Sequence, residues 1–169
     1  MQGGFVGKFV ILAALAALAG CSTSGAFAPR ASYTAISDAG YRIPSVPTAK
    51  IAEKFRRQTV SYATKEKAGT VIVDTGARHL YYVLGDGKAY AYPVAVGKKG
   101  FKWTGTQKVS KVVSWPDWVP PEEMRQRKPQ LPLKMTGGVN NPLGAKAIYL
   151  GSSLYRIHGT NDSSSIGTE

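Results

Sequence analysis

Between residues 70 and 96 the sequence alternates short apolar segments with turn-forming residues. Segments 70–74, 79–84 and 88–96 are rich in Val, Leu and Tyr, whereas 75–78 and 85–87 contain the Gly and Asp typical of turns. In the third segment Tyr and Val alternate with Ala and Pro, which gives a strand one bulky and one small face. The pattern predicts three strands of a meander in a mostly β domain that begins near Gly69.

The sequence after this meander predicts further short elements. We expect a fourth strand over residues 107–114 and two more strands over 147–150 and 154–157. A short helix is expected after Pro121, because acidic residues follow that proline and basic residues precede Pro129. Pro93 predicts an edge strand or a bulge at the end of the third segment, because proline lacks a ladder donor.

The N-terminus is typical of a secretory signal. An uninterrupted apolar decamer over residues 9–18 falls within the ~7–15 residues of a signal h-region and is too short to span a bilayer. It runs into LAGC at 18–21, which resembles the lipobox of bacterial lipoproteins. We therefore predict a lipoprotein signal peptide over residues 1–20 and membrane attachment through lipidated Cys21. A buried core helix and a plain secretory signal with an incidental cysteine are the alternatives.

Residues 21–68 are rich in Ser, Thr and Ala, contain several prolines and show no clear period. Such polar, proline-containing chain is extended, and we expect a tether and lead-in that lets an anchored protein reach material away from the membrane. Ser22, directly after Cys21, favours the outer membrane by the enterobacterial sorting rule. The expected location is therefore the cell envelope, on its periplasmic side.

Composition narrows the classes of partner. The 169 residues carry a net charge of +12, with one cysteine and two histidines. One cysteine excludes a disulfide within the chain, and this Cys/His count excludes a structural zinc site, so no metal and no cofactor are predicted. The charge indicates polyanionic surroundings. Because the chain is exported and its cations are scattered, we expect phospholipid, lipopolysaccharide or wall polymers, and no nucleic acid.

A histidine stands at the end of the last predicted strand. Residues 155–161 read YRIHGTN, so His158 follows apolar Ile157 and precedes Gly159 and small polar residues. A strand that ends in this way can deliver a general base to a site. A hydrogen-bonded core or surface histidine is the alternative. His79 is expected to be structural, and Trp103, Trp115 and Trp118 are expected in core and lid packing, with a glycan or peptide groove as the alternative.

Six landmarks occur in a fixed order and together resemble the L,D-transpeptidase (YkuD-type) catalytic domain. They are IVD at 72–74, HLYYV at 79–83, VGK at 96–98 with TGT at 104–106, WPDWVPP at 115–121, NPLG at 141–144, and IHGTN at 157–161 with SIG at 165–167. The resemblance implies a β-sandwich-like domain with short helices over residues 69–169. It also implies that the domain cross-links peptidoglycan stem peptides with a cysteine nucleophile.

The resemblance assigns roles to single residues. His158 matches the histidine that serves as general base. Beside it, Gly159 would allow close backbone approach, and Thr160 and Asn161 offer hydrogen bonds, so we expect these three residues to bind substrate. A turn with local side-chain caps is the alternative for them. The implied reaction is acyl transfer from the diaminopimelate–D-Ala bond of a tetrapeptide stem to an acceptor amine.

The nucleophile is the point of departure from the family pattern. A Ser-x-Gly-Cys-x-Arg element is expected after the histidine, whereas the one cysteine of this sequence is Cys21. Cys21 cannot substitute for it, since it lies in the signal and is separated from the domain by the tether. We therefore expect a catalytic domain that is incomplete at its C-terminus and inactive as it stands. A non-catalytic, peptidoglycan-binding envelope lipoprotein is the alternative.

Overall fold

The computed structural model describes residues 33–46, 51–97 and 104–168. The predicted signal peptide, Cys21 and Trp103 lie outside the described residues. The described chain is built mainly from short antiparallel strands with few helical turns, so the predicted mostly β fold class is confirmed. Within the described residues, no helix is long and apolar enough to cross a membrane.

The first described strands form a separate hairpin. Strand β1 (Ile36–Asp38) pairs antiparallel with β2 (Tyr41–Ile43). The two turn residues, Ala39 and Gly40, both have positive φ values, 50° and 83°. That backbone matches the right-handed twist of the flanking strands, which is why a two-residue connection suffices.

A four-stranded antiparallel sheet follows, with the strand order β3-β6-β5-β4. It contains β3 (Gln58–Ser61), β4 (Val71–Asp74), β5 (His79–Gly85) and β6 (Lys88–Pro93). Strands β4 to β6 are the predicted meander, which is confirmed.

Strand β3 departs from the sequence prediction. The folded unit was expected to begin near Gly69, yet β3 precedes that residue and pairs with β6 from Gln58↔Ala91 to Ser61↔Lys88. Part of the expected tether and lead-in is therefore a strand of the sheet. This pairing also makes the edge prediction for Pro93 wrong, because β6 lies inside the sheet. Proline is tolerated there because the pairing with β3 ends at Ala91, and the bulge lies elsewhere, between Val83 and Gly85.

The second sheet has three antiparallel strands in the order β7-β8-β9. They are β7 (Val109–Ser114), β8 (Lys146–Leu150) and β9 (Arg156–His158). Strand β9 begins later than predicted because a turn at Ser153, whose hydroxyl and amide both bind the Leu150 carbonyl, occupies the preceding residues. The predicted helix is confirmed as α1 (Glu122–Arg127), directly after Pro121.

The buried hydrophobic side chains lie in both sheets and in the loop before β8, and two prolines, Pro116 and Pro120, are buried in the loop after β7. Val83, Ala89 and Ala91 are buried in the first sheet, Ala147 in the second and Leu143 in the loop. The small face of β6 is thus its buried face. After β9 the chain returns to the first sheet, where the Gly167 amide donates to the Val94 carbonyl at 3.2 Å and the Arg78 Nη1 donates to the Gly167 carbonyl at 2.8 Å. The segment that follows His158 therefore bridges the two sheets.

Candidate active site

His158 ends strand β9 with its side chain exposed. Its Nδ1 lies 2.6 Å from the carbonyl oxygen of Gly159. A carbonyl oxygen only accepts, so Nδ1 carries the hydrogen, and in the neutral ring Nε2 is then the proton acceptor. This contact with the adjacent backbone therefore favours the tautomer in which Nε2 can accept a proton.

Strand pairing fixes where the histidine stands. His158 is the register partner of Ala147, which is fully buried in β8. One residue further on, the Gly159 amide donates to the Lys146 carbonyl at 3.0 Å. The ladder therefore continues past His158, and the ring is carried on paired backbone rather than on a loose loop.

Gly144 packs against the backbone of Gly159 and Thr160, the two residues that follow His158. It has a φ of +63°, and a Cβ atom built on it would lie 2.7 Å from the Thr160 nitrogen and 2.8 Å from the Gly159 carbonyl carbon. Only glycine combines this left-handed backbone with such a close approach. The NPLG motif thus supplies a contact surface for the backbone that follows the histidine.

Asn141 holds that motif in place. Its side chain is 1% exposed, and it is the buried polar residue of the described core. The Nδ2 group lies within hydrogen-bond distance of three carbonyl oxygens, those of Pro116 at 3.1 Å, Met135 at 3.2 Å and Thr136 at 3.0 Å. Its Oδ1 accepts the Leu143 amide at 2.9 Å. One amide side chain therefore connects three loop segments.

The side chains of Thr160 and Asn161 make local contacts. Thr160 Oγ1 accepts the Asp162 amide at 3.0 Å, and Asn161 Nδ2 donates to the Asn140 carbonyl at 2.9 Å. The Ser164 hydroxyl and amide both donate to Asp162 Oδ1, and these bonds lower the pKa of the Asp162 carboxyl. The side chains of Thr160 and Asn161 are exposed and also make these local hydrogen bonds. Their contact with substrate stays a prediction.

Trp115 contacts the N-terminal hairpin. Its ring lies 4.3 Å from that of Tyr41, and its Nε1 donates to Asp38 Oδ2 at 2.9 Å. The same carboxylate oxygen accepts Lys146 Nζ at 3.3 Å. These contacts support the expected packing role of this tryptophan.

Trp115 also has an unusual backbone. Its φ is +48°, and a Cβ atom on Gly137 would lie 2.0 Å from its carbonyl oxygen, so Gly137 has to be glycine. The left-handed turn at Trp115 directs the chain from the end of β7 into the loop that Asn141 binds.

Among the described residues, no cluster of three or more His, Cys, Asp or Glu could hold a metal ion.

Comparison with known proteins identifies the family of the fold. Residues 68–168 match the L,D-transpeptidase catalytic domain family, YkuD. The chain belongs to the YkuD family. The match includes β4 to β9 and the His158 segment, whereas the β1–β2 hairpin and β3 lie outside it.

Several curated YkuD relatives come from Escherichia coli K12. "Probable L,D-transpeptidase YbiS" is 35% identical over 107 residues, which is 59% of this chain and 34% of that protein. "Probable L,D-transpeptidase ErfK/SrfK" is 33% identical over 57% of this chain and 33% of its own length. "Probable L,D-transpeptidase YcfS" is 31% identical over 73% of this chain and 41% of its own length. The chain thus spans about a third of the first two relatives.

A solved structure supports the fold. A Brucella melitensis protein described as "Probable carnitine operon oxidoreductase caia" has a TM-score of 0.56 and 38% sequence identity, over 68% of this chain and 75% of that one. At this identity the likeness extends to sequence as well as to fold.

His158 could be predicted from the sequence, whereas the residues that surround it could not. The NPLG motif was part of the resemblance, yet the burial of Asn141 and the contact of Gly144 with Thr160 were not predicted. The Asn-Pro-x-Gly run at 141–144 is the local signal that could have indicated a tight turn there. No local signal pointed to Asp38, which contacts Lys146 from 108 positions away.

Proposed function

We propose that this chain carries the general-base part of a peptidoglycan L,D-transpeptidase. The observation that carries the proposal is His158, held at the end of a paired strand in the tautomer that leaves Nε2 as proton acceptor, within a YkuD-family domain. The nucleophile in this proposal is the cysteine thiol of a Ser-x-Gly-Cys-x-Arg element, and Cys21, the one cysteine of the sequence, is assigned to lipidation instead.

In the proposed reaction, His158 Nε2 takes the proton of the cysteine thiol. The thiolate attacks the carbonyl carbon of diaminopimelate in a tetrapeptide stem, and a tetrahedral oxyanion forms. Backbone amides next to the cysteine would stabilise that oxyanion by ~3–4 kcal/mol per donor. The C–N bond then breaks, the imidazolium returns its proton to the departing D-Ala amine, and a thioester remains. An amine of a second stem attacks the thioester, forms the cross-link and releases the thiol.

The proposed contacts with the stem peptide come from Gly159, Thr160 and Asn161. All three follow the histidine directly and are exposed. Gly159 lets the substrate backbone approach closely, and the other two offer hydrogen-bonding groups at the same end of β9.

The proposal includes attachment to a membrane. Cys21 would carry diacylglycerol, and the residues between it and β3 would separate the domain from the lipid surface on the periplasmic side of the outer membrane. Metabolic labelling with an alkyne fatty acid tests this part: the protein is labelled, and Cys21→Ser abolishes the label. Equal labelling of both proteins would contradict lipidation at Cys21.

The proposed acyl-transfer chemistry is tested by intact mass after incubation with a carbapenem, a class that acylates the nucleophile in this family. Two proteins are compared, the 169-residue chain and a longer variant to which a Ser-x-Gly-Cys-x-Arg element has been added, each with Cys21→Ala. A covalent adduct on the longer protein alone supports the proposal. In that protein His158→Gln slows acylation by about 100-fold or more, the usual contribution of a general base.

His79→Gln is the matched control, since His79 lies on the other sheet. Equal slowing by both substitutions would contradict the role of His158. Absence of an adduct on either protein would overturn the transpeptidase proposal and favour a non-catalytic, wall-binding lipoprotein.

A further inference from the structure

Three further side chains lie on the sheet face that carries His158. Arg156 is two residues before His158 on β9, so the two side chains share a face and their Cα atoms are about 6.6 Å apart. Register pairing places Tyr149 of β8 opposite Arg156, and Lys111 of β7 opposite Tyr149. Lys111, Tyr149 and Arg156 form the cation row, and none of them takes part in the proton transfers of the proposed reaction.

The Tyr149 ring contacts a cation from each neighbouring strand. The Lys111 Nζ lies 4.4 Å from the ring centroid, and the Arg156 Cζ lies 5.2 Å from it. Both distances are within the ~6 Å at which the negative face of an aromatic ring attracts a cation. The central tyrosine therefore orients both cationic groups on the face where His158 stands.

The hydrogen-bond donors of the two cations are not used within the described chain. Over residues 33–46, 51–97 and 104–168, neither the Lys111 nor the Arg156 side chain forms an ion pair or a hydrogen bond. A ring face attracts the charge but leaves the planar fork of guanidinium N–H donors unpaired, and a carboxylate matches that fork. Lys111 is exposed and Arg156 is half-buried, so a ligand can reach both.

We propose that the cation row binds a free carboxylate of the stem peptide, on one of the two residues joined by the bond that is cleaved. Arg156 binds the carboxylate through its planar N–H donors, and Lys111 adds a second positive charge to the same row. The inference rests on the proposed function, because it takes the stem peptide as the ligand. In a tetrapeptide stem, diaminopimelate has a free carboxylate on its side chain and D-Ala has one at its C-terminus.

The position of Arg156 on β9 supports this choice of carboxylate. The guanidinium belongs to the row next to His158, so a group that it binds lies close to the bond at which the histidine acts. Both candidate carboxylates belong to residues that form this bond. The stem would then be bound on both sides of His158, by Arg156 before it and by residues 159–161 after it.

Binding of a free tetrapeptide stem to the 169-residue chain is measured by NMR titration, with the imidazole signals of His158 as the reporter. Two derivatives each replace one carboxylate by a carboxamide, either on the diaminopimelate side chain or on D-Ala. We expect one of the two amides to bind about tenfold more weakly than the acid, as for the loss of one charge-assisted hydrogen bond. The weaker derivative identifies which carboxylate the cation row binds.

Arg156→Gln should raise the Kd of the unmodified stem about tenfold and abolish the difference between acid and amide. A substitution that only damages the fold would weaken both ligands alike, so the ratio of the two Kd values separates binding from stability. Arg156→Lys keeps the charge without the fork and should restore part of the ratio. Lys111→Gln should raise the Kd about threefold, whereas Lys88→Gln, on the other sheet, is the matched control and should leave it unchanged.

Equal affinities of the acid and both amides, an acid preference that survives Arg156→Gln, or an equal effect of Lys88→Gln and Lys111→Gln would each overturn the cation-row proposal. If the stems still shift His158 in those cases, the transpeptidase proposal stands. Absence of stem binding also overturns the cation row, and the carbapenem adduct then decides the transpeptidase proposal. An acid preference that Arg156→Gln removes supports the cation row even if the carbapenem leaves the longer variant unmodified, which would count against the transpeptidase proposal.

Discussion

Gly144 touches the backbone of Thr160 so closely that a Cβ atom on the glycine would lie 2.7 Å from the threonine nitrogen. This contact joins the loop before β8 to the residues that follow His158. Because both partners are backbone, no side-chain rearrangement can relieve a collision there. The position of the histidine segment therefore depends on the absence of one methyl group.

Gly144→Ala is expected to destabilise the chain by about 3 kcal/mol, since left-handed backbone alone costs ~1–2 kcal/mol and the collision adds to it. Urea unfolding measures the loss. Gly87→Ala is the matched control: its φ is +67°, close to the +63° of Gly144, but a Cβ atom there meets no described atom within 4 Å. An equal decrease in unfolding free energy in the two variants would show that the contact with Thr160 does not contribute to stability.

Asn141→Asp is expected to cost more than Asn141→Ala. Both remove the donor that three carbonyl oxygens share, but the aspartate also places a charge where the side chain is 1% exposed. We expect about 3 kcal/mol for alanine and more for aspartate. The free energy of unfolding is the measurement.

Asn161→Ala provides the comparison for Asn141, because this exposed side chain makes one hydrogen bond, to the Asn140 carbonyl. Asn161→Ala should lower the free energy of unfolding by less than about 1 kcal/mol. An Asn141→Asp protein as stable as the unsubstituted chain at neutral pH would refute the assignment of Asn141 as the buried link between the three loops.

Acid should weaken the fold partly through Asp117. The Lys134 ammonium, 2.7 Å from Oδ2, and then the Gly137 amide, 3.0 Å from Oδ1, hold the pKa of this carboxyl below its usual value. Folding thus favours the ionised form. Its contribution is complete above the unfolded pKa of about 3.9 and is lost as the pH falls through the lower folded pKa.

Asp117→Asn is therefore expected to flatten the acid limb of a plot of unfolding free energy against pH. Lys134→Gln should flatten it less, because the Gly137 amide still lowers the pKa of Asp117, and the double variant should change little beyond Asp117→Asn alone. Asp162, whose pKa is lowered by Ser164, should contribute equally to the pH dependence of the unfolding free energy in all three proteins. Fully additive effects would contradict the pairing of Asp117 with Lys134.

The hairpin is expected to be energetically coupled to Trp115 through Asp38. A double-mutant cycle with Asp38→Ala and Trp115→Phe should give a coupling of about 1 kcal/mol, the net value of one partly buried hydrogen bond. Asp38→Ala alone should cost more than Trp115→Phe, since the carboxylate also binds Lys146. Ser37→Ala, at an exposed site on the same strand, should be nearly neutral, and zero coupling would mean that the two groups act independently.

The meander, the helix after Pro121 and the histidine at the end of β9 could be predicted because their signals are local. Alternation, turn residues and capping residues all act within a few positions. His158 was identified because a family motif surrounds it, and the preference of its ring for one tautomer comes from the adjacent carbonyl of Gly159.

The remaining structure depends on contacts between distant residues. Gln58 and Ala91 pair across 33 positions, and nothing within residues 58–61 marks them as a strand rather than the end of a tether. The Pro93 prediction failed for the same reason, because a strand assigned to the lead-in covers its neighbours on β6. A burial of 1% at Asn141 is likewise a property of three loops together rather than of the motif.

The contact between Asp38 and Lys146 also constrains when the domain can be completed during its synthesis. The two residues are 108 positions apart, so the Asp38 carboxylate of the hairpin lacks its ammonium partner, Lys146, until β8 has left the ribosome. Two strands of three residues each are at best marginally stable on their own, so the hairpin depends on a docking surface that is completed late. Slow loop closure over this distance makes docking of the hairpin a late folding event, after the local meander has formed.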